Sequence, residues 1–190
     1  VERQRLGPRH VGVQAAQARS AARKGAPAAS KSGAGKSKPS TSMRDLALAL
    51  HNFSHKMITD MIDGVPESHV VSQVAPVNNH VIWTLGHLAM TSDWLATLID
   101  GKPSRTPKNY DPLFGMGSKP TGDLSNYPSL KEVRAEYDRS FDRLVSAAKA
   151  RTDAELFDPP AGDSSGFTTN KLDSLLKGAW HEGWHIGQIA

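Results

Sequence analysis

The sequence contains no cysteine, which excludes disulfide bonds, thiolate metal sites and cysteine nucleophiles. Any transition-metal site must therefore use His, Asp or Glu, and the chain has eight histidines. Long apolar runs are also missing, because none approaches the roughly 20 residues of a membrane-spanning helix. The first residues lack the apolar stretch of a secretory signal, so we expect a cytoplasmic protein with no membrane association.

The positive charge of the chain is concentrated in its first 42 residues. The whole chain has a formal net charge of +4, whereas residues 1–42 contain nine Lys and Arg and one Glu. The remainder contains more acidic than basic residues, so we expect no specific nucleic-acid binding. Residues 1–42 are rich in Ala, Ser, Gly and Lys and hold few large apolar residues. We predict a disordered tail over 1–42 and one folded domain over 43–190.

Apolar residues recur at helical spacing in four segments, and no segment shows the sustained alternation of a strand. The first predicted helix begins after Ser42 and ends at Gly64, with a stripe expected to face the core at Leu46, Leu50, Phe53, Met57 and Met61. The second follows a cap at Asn78 or Asn79 and ends at Gly101; the third begins at the Ser129/Glu132 capping box, and the fourth follows Asn170. The sequence thus predicts an all-α four-helix bundle, with a long connection over 101–128 that could form a lid.

The fourth predicted helix carries the segment "WHEGWH" over residues 180–185. It matches H-E-x-x-H, in which two histidines hold zinc and the glutamate is the general base of a peptidase. Such peptidases take a third ligand downstream, but only "IGQIA" follows His185. His87, midway along the most apolar helix, is the natural upstream candidate. His87, His181 and His185 could hold one zinc, nickel or iron ion and leave a position open.

The four tryptophans occur only in the two segments that contain these histidines, which suggests an aromatic-walled cavity between the second and fourth helices. The predicted cleft residues are Trp83, Trp94, Trp184 and Gln188, and Gly183 and Gly187 would permit close helix approach. The other residues of the region have plainer interpretations. Glu182 is predicted to lie on the surface, and the His51/His55 pair is predicted to flank or leave the core, away from the first helix's apolar stripe.

Two segments resemble a known family. "NNHVIWTLGHLAMTSDW" and, some ninety residues later, "HEGWHIGQIA" look like the motifs of DinB-like metal-binding four-helix bundles, which are related to bacterial damage-inducible proteins and to thiol-dependent transferases. The resemblance covers about residues 43–190. It implies a bundle with an unusual crossover, one divalent metal ion on His87, His181 and His185, and often a homodimer. The last helix is shorter than is usual in that family, so we expect a truncated C-terminus.

Three hypotheses follow for the function. The first is a metal-dependent transferase or hydrolase acting on a small molecule, with a low-molecular-weight thiol as the transferase's co-substrate and with metal-bound water or thiolate as the reactive group. The second is a non-catalytic, stress-associated metal-binding or interaction bundle. The third is a zinc peptidase of the H-E-x-x-H type. The residues alone do not choose among them.

Overall fold

The computed structural model of the chain describes residues 41–74 and 79–189. These residues form six α-helices and no strand: α1 Met43–Asp63, α2 Val81–Asp100, α3 Tyr110–Phe114, α4 Leu130–Lys149, α5 Asp153–Leu156 and α6 Lys171–Ile189. Two short 3-10 helices cover Glu67–His69 and Leu124–Asn126. The all-α prediction is confirmed, and no helix of the described part is long and apolar enough to cross a bilayer. The tail predicted over 1–42 lies outside the described residues except for its last two.

The four long helices form the bundle, and each packs mainly against two others. α2 lies between α4 and α6, while α1 also contacts α6 and α4, so the successive helices α1 and α2 are diagonal. One end of the core joins the beginnings of α1 and α6 to the ends of α2 and α4. The other end joins the beginnings of α2 and α4 to the ends of α1 and α6. The helices therefore run up, down, down and up, and a long crossover connects the two parallel helices α2 and α4.

The prediction for the inward face of α1 is wrong. Its buried residues are Ala47, Leu48, His51, Ser54, Ile58 and Ile62, whereas Leu46, Leu50, Phe53 and Met57 are 36–62% exposed. Compared with the prediction, the helix is rotated about its axis by roughly one residue, because polar partners inside the bundle offset the free-energy cost of burying His51. His55 is half-buried, stacks on the Phe141 ring and lies 3.1 Å from a carboxylate oxygen of Asp138. The most apolar side of α1 consequently faces outward.

Local capping chemistry sets most of the helix ends. The Ser42 side chain accepts a hydrogen bond from the amide of Asp45, and Ser129 with Glu132 forms the predicted capping box. The cap predicted for α2 is wrong, since His80 caps the helix by accepting from the Trp83 amide through Nδ1. The short helices α3 and α5 are absent from the sequence prediction, because four or five residues carry too little periodicity to be recognised.

The crossover is fixed to the bundle by a buried carboxylate on α2. Asp93 is fully buried and pairs with Arg143 of α4 at 2.6 Å. Its other oxygen accepts hydrogen bonds from the Ser104 hydroxyl and the Arg105 amide. Burial would raise the pKa of Asp93, but hydrogen bonds from Ser104 and Arg143 outweigh it and lower the pKa below its ordinary value. The first part of the crossover is therefore held against α2 and α4.

Candidate metal centre

Three histidines from two helices converge between α2 and α6. Nε2 of His181 lies 3.3 Å from Nε2 of His87 and 3.2 Å from Nε2 of His185. His87 and His185 are buried, and His181 is half-buried. His181 and His185 share one face of α6 because they are one turn apart, and α2 brings His87 opposite them. The three residues form a group that could hold a metal ion.

The orientation of His87 depends on the short helix α3. Nδ1 of His87 lies 2.9 Å from the carbonyl oxygen of Phe114, at the end of α3. Phe114 reaches this position because α2 has a glycine at 86, where a β-carbon would overlap the phenyl ring. The Trp83 indole stacks on the His87 ring at 4.8 Å between centroids. Sequence reasoning missed Gly86 and Phe114; the only sequence signal was a glycine in the middle of a strongly apolar helix.

The hydrogen bonds of the ring nitrogens fix where the protons lie. A carbonyl oxygen can only accept, so His87 carries its proton on Nδ1 and its Nε2 is a free lone pair. Nδ1 of His185 lies 2.8 Å from Oε1 of Gln188, which also accepts from the Asn79 amide group, so Nε2 of His185 is a lone pair too. His181 can offer one proton to only one of these two lone pairs. Its buried Nδ1 has no hydrogen-bond partner.

The surroundings keep all three imidazoles neutral. Burial, together with the neighbouring His185 and His87, lowers the pKa of His181 to about 3. Burial and His87 lower the pKa of His185 to about 4, against the opposing hydrogen bond to Gln188. Burial also lowers the pKa of His87, although its hydrogen bond to Phe114 acts in the other direction. Neutral imidazole is the form that binds metal ions.

The donor set fits a divalent transition metal. Two nitrogens that bind one zinc ion at about 2.0–2.1 Å with tetrahedral angles lie about 3.3–3.4 Å apart, close to the observed separations. One His181 proton can satisfy only one of the two lone pairs, whereas a cation among the three Nε2 atoms would satisfy both. The outer N–H groups of His87 and His185 already donate to oxygens, the usual outer partners of metal-bound histidine.

Comparison with known families agrees with this geometry. The family model of the DinB superfamily matches residues 51–189, which include all three histidines. The chain belongs to the DinB superfamily. No curated protein shows significant sequence similarity to it.

The predicted cleft residues of this DinB-superfamily chain occupy different places. Trp94 lines two cavities beside His87, and Trp83 is buried against the His87 ring with its N–H donated to the Ser118 hydroxyl. Gln188 contacts His185 from the side and lines neither of those cavities. Trp184 is 58% exposed and lies beside the exposed Trp180. Helix α2 thus supplies the one tryptophan that lines these cavities, Trp94, while the tryptophans of α6 are exposed.

The glutamate of the H-E-x-x-H segment faces away from the metal centre, and its predicted surface position is wrong. Glu182 is 2% exposed; one carboxylate oxygen accepts from the Tyr137 hydroxyl at 3.1 Å, and the other lies 3.3 Å from Nδ1 of His51. Nε2 of His51 donates to the carbonyl of Leu175 at 2.6 Å. Burial and the Glu182 charge raise the pKa of Tyr137 well above its ordinary value. Glu182 therefore ties α6 to α1 and α4, and the peptidase hypothesis loses its general base.

Proposed function

We propose that this DinB-superfamily chain binds one divalent transition-metal ion, zinc, nickel or iron, through His87, His181 and His185. The observation that carries the proposal is the proton count at the three Nε2 atoms: two lone pairs face a nitrogen that can donate only once. Without a cation, such a buried arrangement leaves polar atoms unsatisfied at a cost of about 1–3 kcal/mol each. The unpartnered Nδ1 of His181 can take up a proton or a polar group from the cleft side.

We propose further that the centre acts on a small molecule as a metal-dependent transferase or hydrolase, with a low-molecular-weight thiol as co-substrate of the transferase. A bound divalent ion would supply Lewis-acid polarisation of a substrate oxygen or sulfur. The chain's own residues hold and shield the centre: Phe114 and Gln188 orient two imidazoles, and Trp83 covers one face of His87. A cytoplasmic location stays a prediction from the sequence.

The test of the metal site is the metal content of purified protein. We expect about one equivalent of a transition metal in the wild type and at least a tenfold loss of affinity in His87→Ala and His185→Ala. His69→Ala is the matched control, because His69 is exposed on a 3-10 helix outside the centre. A wild type that binds no transition metal, or a His87→Ala variant with unchanged metal content, would refute the three-histidine site.

A second observation favours the interaction role, in the form of a homodimer. The outward sides of α1 and α6 expose apolar residues at helical spacing. We call these residues the α1/α6 face; they are Leu46, Leu50, Phe53, Met57, Leu176, Trp180 and Trp184. At 150–250 Å² for each aromatic side chain, the exposed fractions of the three aromatic residues correspond to roughly 270–440 Å². The four exposed aliphatic side chains add to this area, so the face supplies a large part of the roughly 800 Å² per partner of a standard interface. Added β-carbons at Gly183 and Gly187 would meet nothing within 4 Å, so a second backbone can approach closely there.

The occupant of this face that we propose is a second copy of the chain. Residues 1–42 hold few large apolar side chains, so they offer little apolar surface to cover this face. In sedimentation-velocity experiments we expect a dimer for the wild type and a monomer for Trp180→Glu. Phe157→Glu is the matched control, since Phe157 is equally exposed but lies after α5, outside the face. A wild type that is monomeric at about 100 µM, a concentration well above the Kd of a standard interface, would refute the dimer.

A further inference from the structure

The space beside the metal centre is a cleft with a consistent chemical character. A cavity of about 410 Å³ opens onto His87 and His181, and an adjoining cavity of about 280 Å³ opens onto His87. The two share the lining residues Thr91, Trp94 and Met116, and we call them together the α2 cleft. Its volume lies in the range of small-molecule sites.

The walls of the larger cavity are apolar. Trp94 and Phe167 face each other with ring centroids 5.8 Å apart, and Met116 forms a further wall. The hydroxyl of Thr91 donates to the carbonyl of His87, and that of Ser164 donates to the carbonyl of Thr168. Two of the polar lining groups are therefore already bonded to the protein.

Among the described residues, no Lys, Arg, Asp or Glu lines the larger cavity. Lys177 lies over the Phe167 ring at 5.5 Å, but its ammonium group pairs with Asp173 and donates to the Phe167 carbonyl. Within the described part of the chain, the smaller cavity has one charged lining residue, Asp111, which is exposed. In the metal-free protein, an ionised group that entered the larger cavity would lose its hydration and find no opposite charge among the described lining residues.

Met116 gives the cleft an adaptable wall. It lines both cavities, is 92% exposed and stands between Gly115 and Gly117. Gly117 has φ of +87°, and a β-carbon at position 115 would overlap the backbone of Asp111, so both neighbours must be glycine for this loop to form. An unbranched thioether on such a loop can fold over ligands of different shape.

We propose that the α2 cleft binds an uncharged aryl or branched alkyl group of the substrate and directs the substrate's reacting polar atom towards His87 and His181. This inference rests on the proposed function for the reaction, but not for the binding of the apolar group. It assigns the apolar, electrophilic partner of a transfer to the cleft.

Two probes that differ by one charge test the proposal: N-phenyl-1-naphthylamine, which is neutral, and 8-anilinonaphthalene-1-sulfonate, the same framework with a sulfonate. Fluorescence titrations are run on the full chain with chelator and again with added zinc. We expect the neutral probe to bind at least tenfold more tightly than the sulfonate in the presence of chelator. Zinc should narrow this difference, because its positive charge attracts the sulfonate. Thr91→Trp, which fills the cavity, should weaken binding of the neutral probe at least tenfold, and Met116→Ser about threefold.

Matched variants separate the cleft from the other apolar surface. Trp180→Ser removes an exposed tryptophan of the α1/α6 face and should leave binding of the neutral probe unchanged. Met116 is exposed, so Met116→Ser serves even if Thr91→Trp fails to fold. The proposal is overturned if the two probes bind equally in the presence of chelator, or if Trp180→Ser abolishes binding while the cleft variants do not. Probe binding without any metal uptake would refute the metal site alone, and the reverse result would refute this inference alone.

Discussion

The substitution Glu182→Ala tests whether Glu182 has a structural role or a catalytic one. The substitution removes the acceptor of the Tyr137 hydroxyl and the carboxylate beside His51, both inside the bundle. Removing one partner of a buried charged cluster costs about 3–5 kcal/mol, because the remaining polar groups stay buried without a partner. We therefore expect Glu182→Ala to lower the free energy of unfolding by about that amount.

Urea unfolding monitored by circular dichroism measures this loss directly. For a domain of this size, 1 kcal/mol corresponds to about 2–4 °C, so the melting temperature should fall by roughly 6–20 °C. Glu67→Ala is the control, since Glu67 is exposed and has no carboxylate contact in the described residues, and it should change stability by less than about 0.5 kcal/mol.

A double-mutant cycle with His51→Ala adds a sharper criterion. Because His51 and Glu182 are in contact, the combined loss should be smaller than the sum of the two single losses by at least about 1 kcal/mol. A Glu182→Ala protein as stable as the wild type would refute the reasoning. So would strictly additive losses, which would mean that the two side chains do not interact.

Three further predictions concern packing, buried charge and pH. Gly86→Ala should lower the free energy of unfolding by about 1–3 kcal/mol because its methyl group overlaps the Phe114 ring. In the monomeric Trp180→Glu protein, Gly183→Ala on the open side of α6 should raise it by up to about 1 kcal/mol, and thermal unfolding tests the contrast. Asp93→Asn should lower the free energy of unfolding by about 3 kcal/mol and speed amide exchange over 102–106, which hydrogen-exchange mass spectrometry measures. Asp142→Asn, at an exposed position, should have neither effect. The three clustered histidines have pKa values below those of the unfolded chain, so the unfolded chain binds more protons below pH 6.5. The metal-free protein should therefore lose stability between about pH 6.5 and 4, and unchanged urea midpoints at pH 7 and 5 would contradict this.

The sequence was informative where residue type and spacing act locally. Helical periodicity and the Ser129/Glu132 box predicted the long helices, and the spacing of His181 and His185 placed them on one helical face. Their approach to His87 depended on a buried histidine needing a partner, which reasoning about polar burial can anticipate. These steps use interactions within one helix or the cost of burying one group.

The rest depended on interactions between helices. Periodicity identified an apolar stripe on α1 but could not show that the polar side with His51 faces inward, because the partners of His51, Glu182 and Leu175, lie on α6. The same limit applies to Glu182, whose burial needs Tyr137 and His51 together. The roles of the glycines were similarly ambiguous. A β-carbon at Gly178 would overlap Leu95 and His51, whereas β-carbons at Gly183 and Gly187 would meet no described atom within 4 Å. Long-range partners of this kind are not encoded in the spacing along one helix.

The up, down, down, up order of the helices determines when the three histidines can come together during synthesis of the chain. His87 and His181 are 94 residues apart, and the helix that follows α1 directly packs diagonally to it. During synthesis, His87 therefore leaves the ribosome long before α6 exists, and it cannot chelate a metal ion with its two partners at that stage. In the proposed metal-binding function, coordination by all three histidines would require α6 to be docked against α2, so it would report that the whole bundle has assembled.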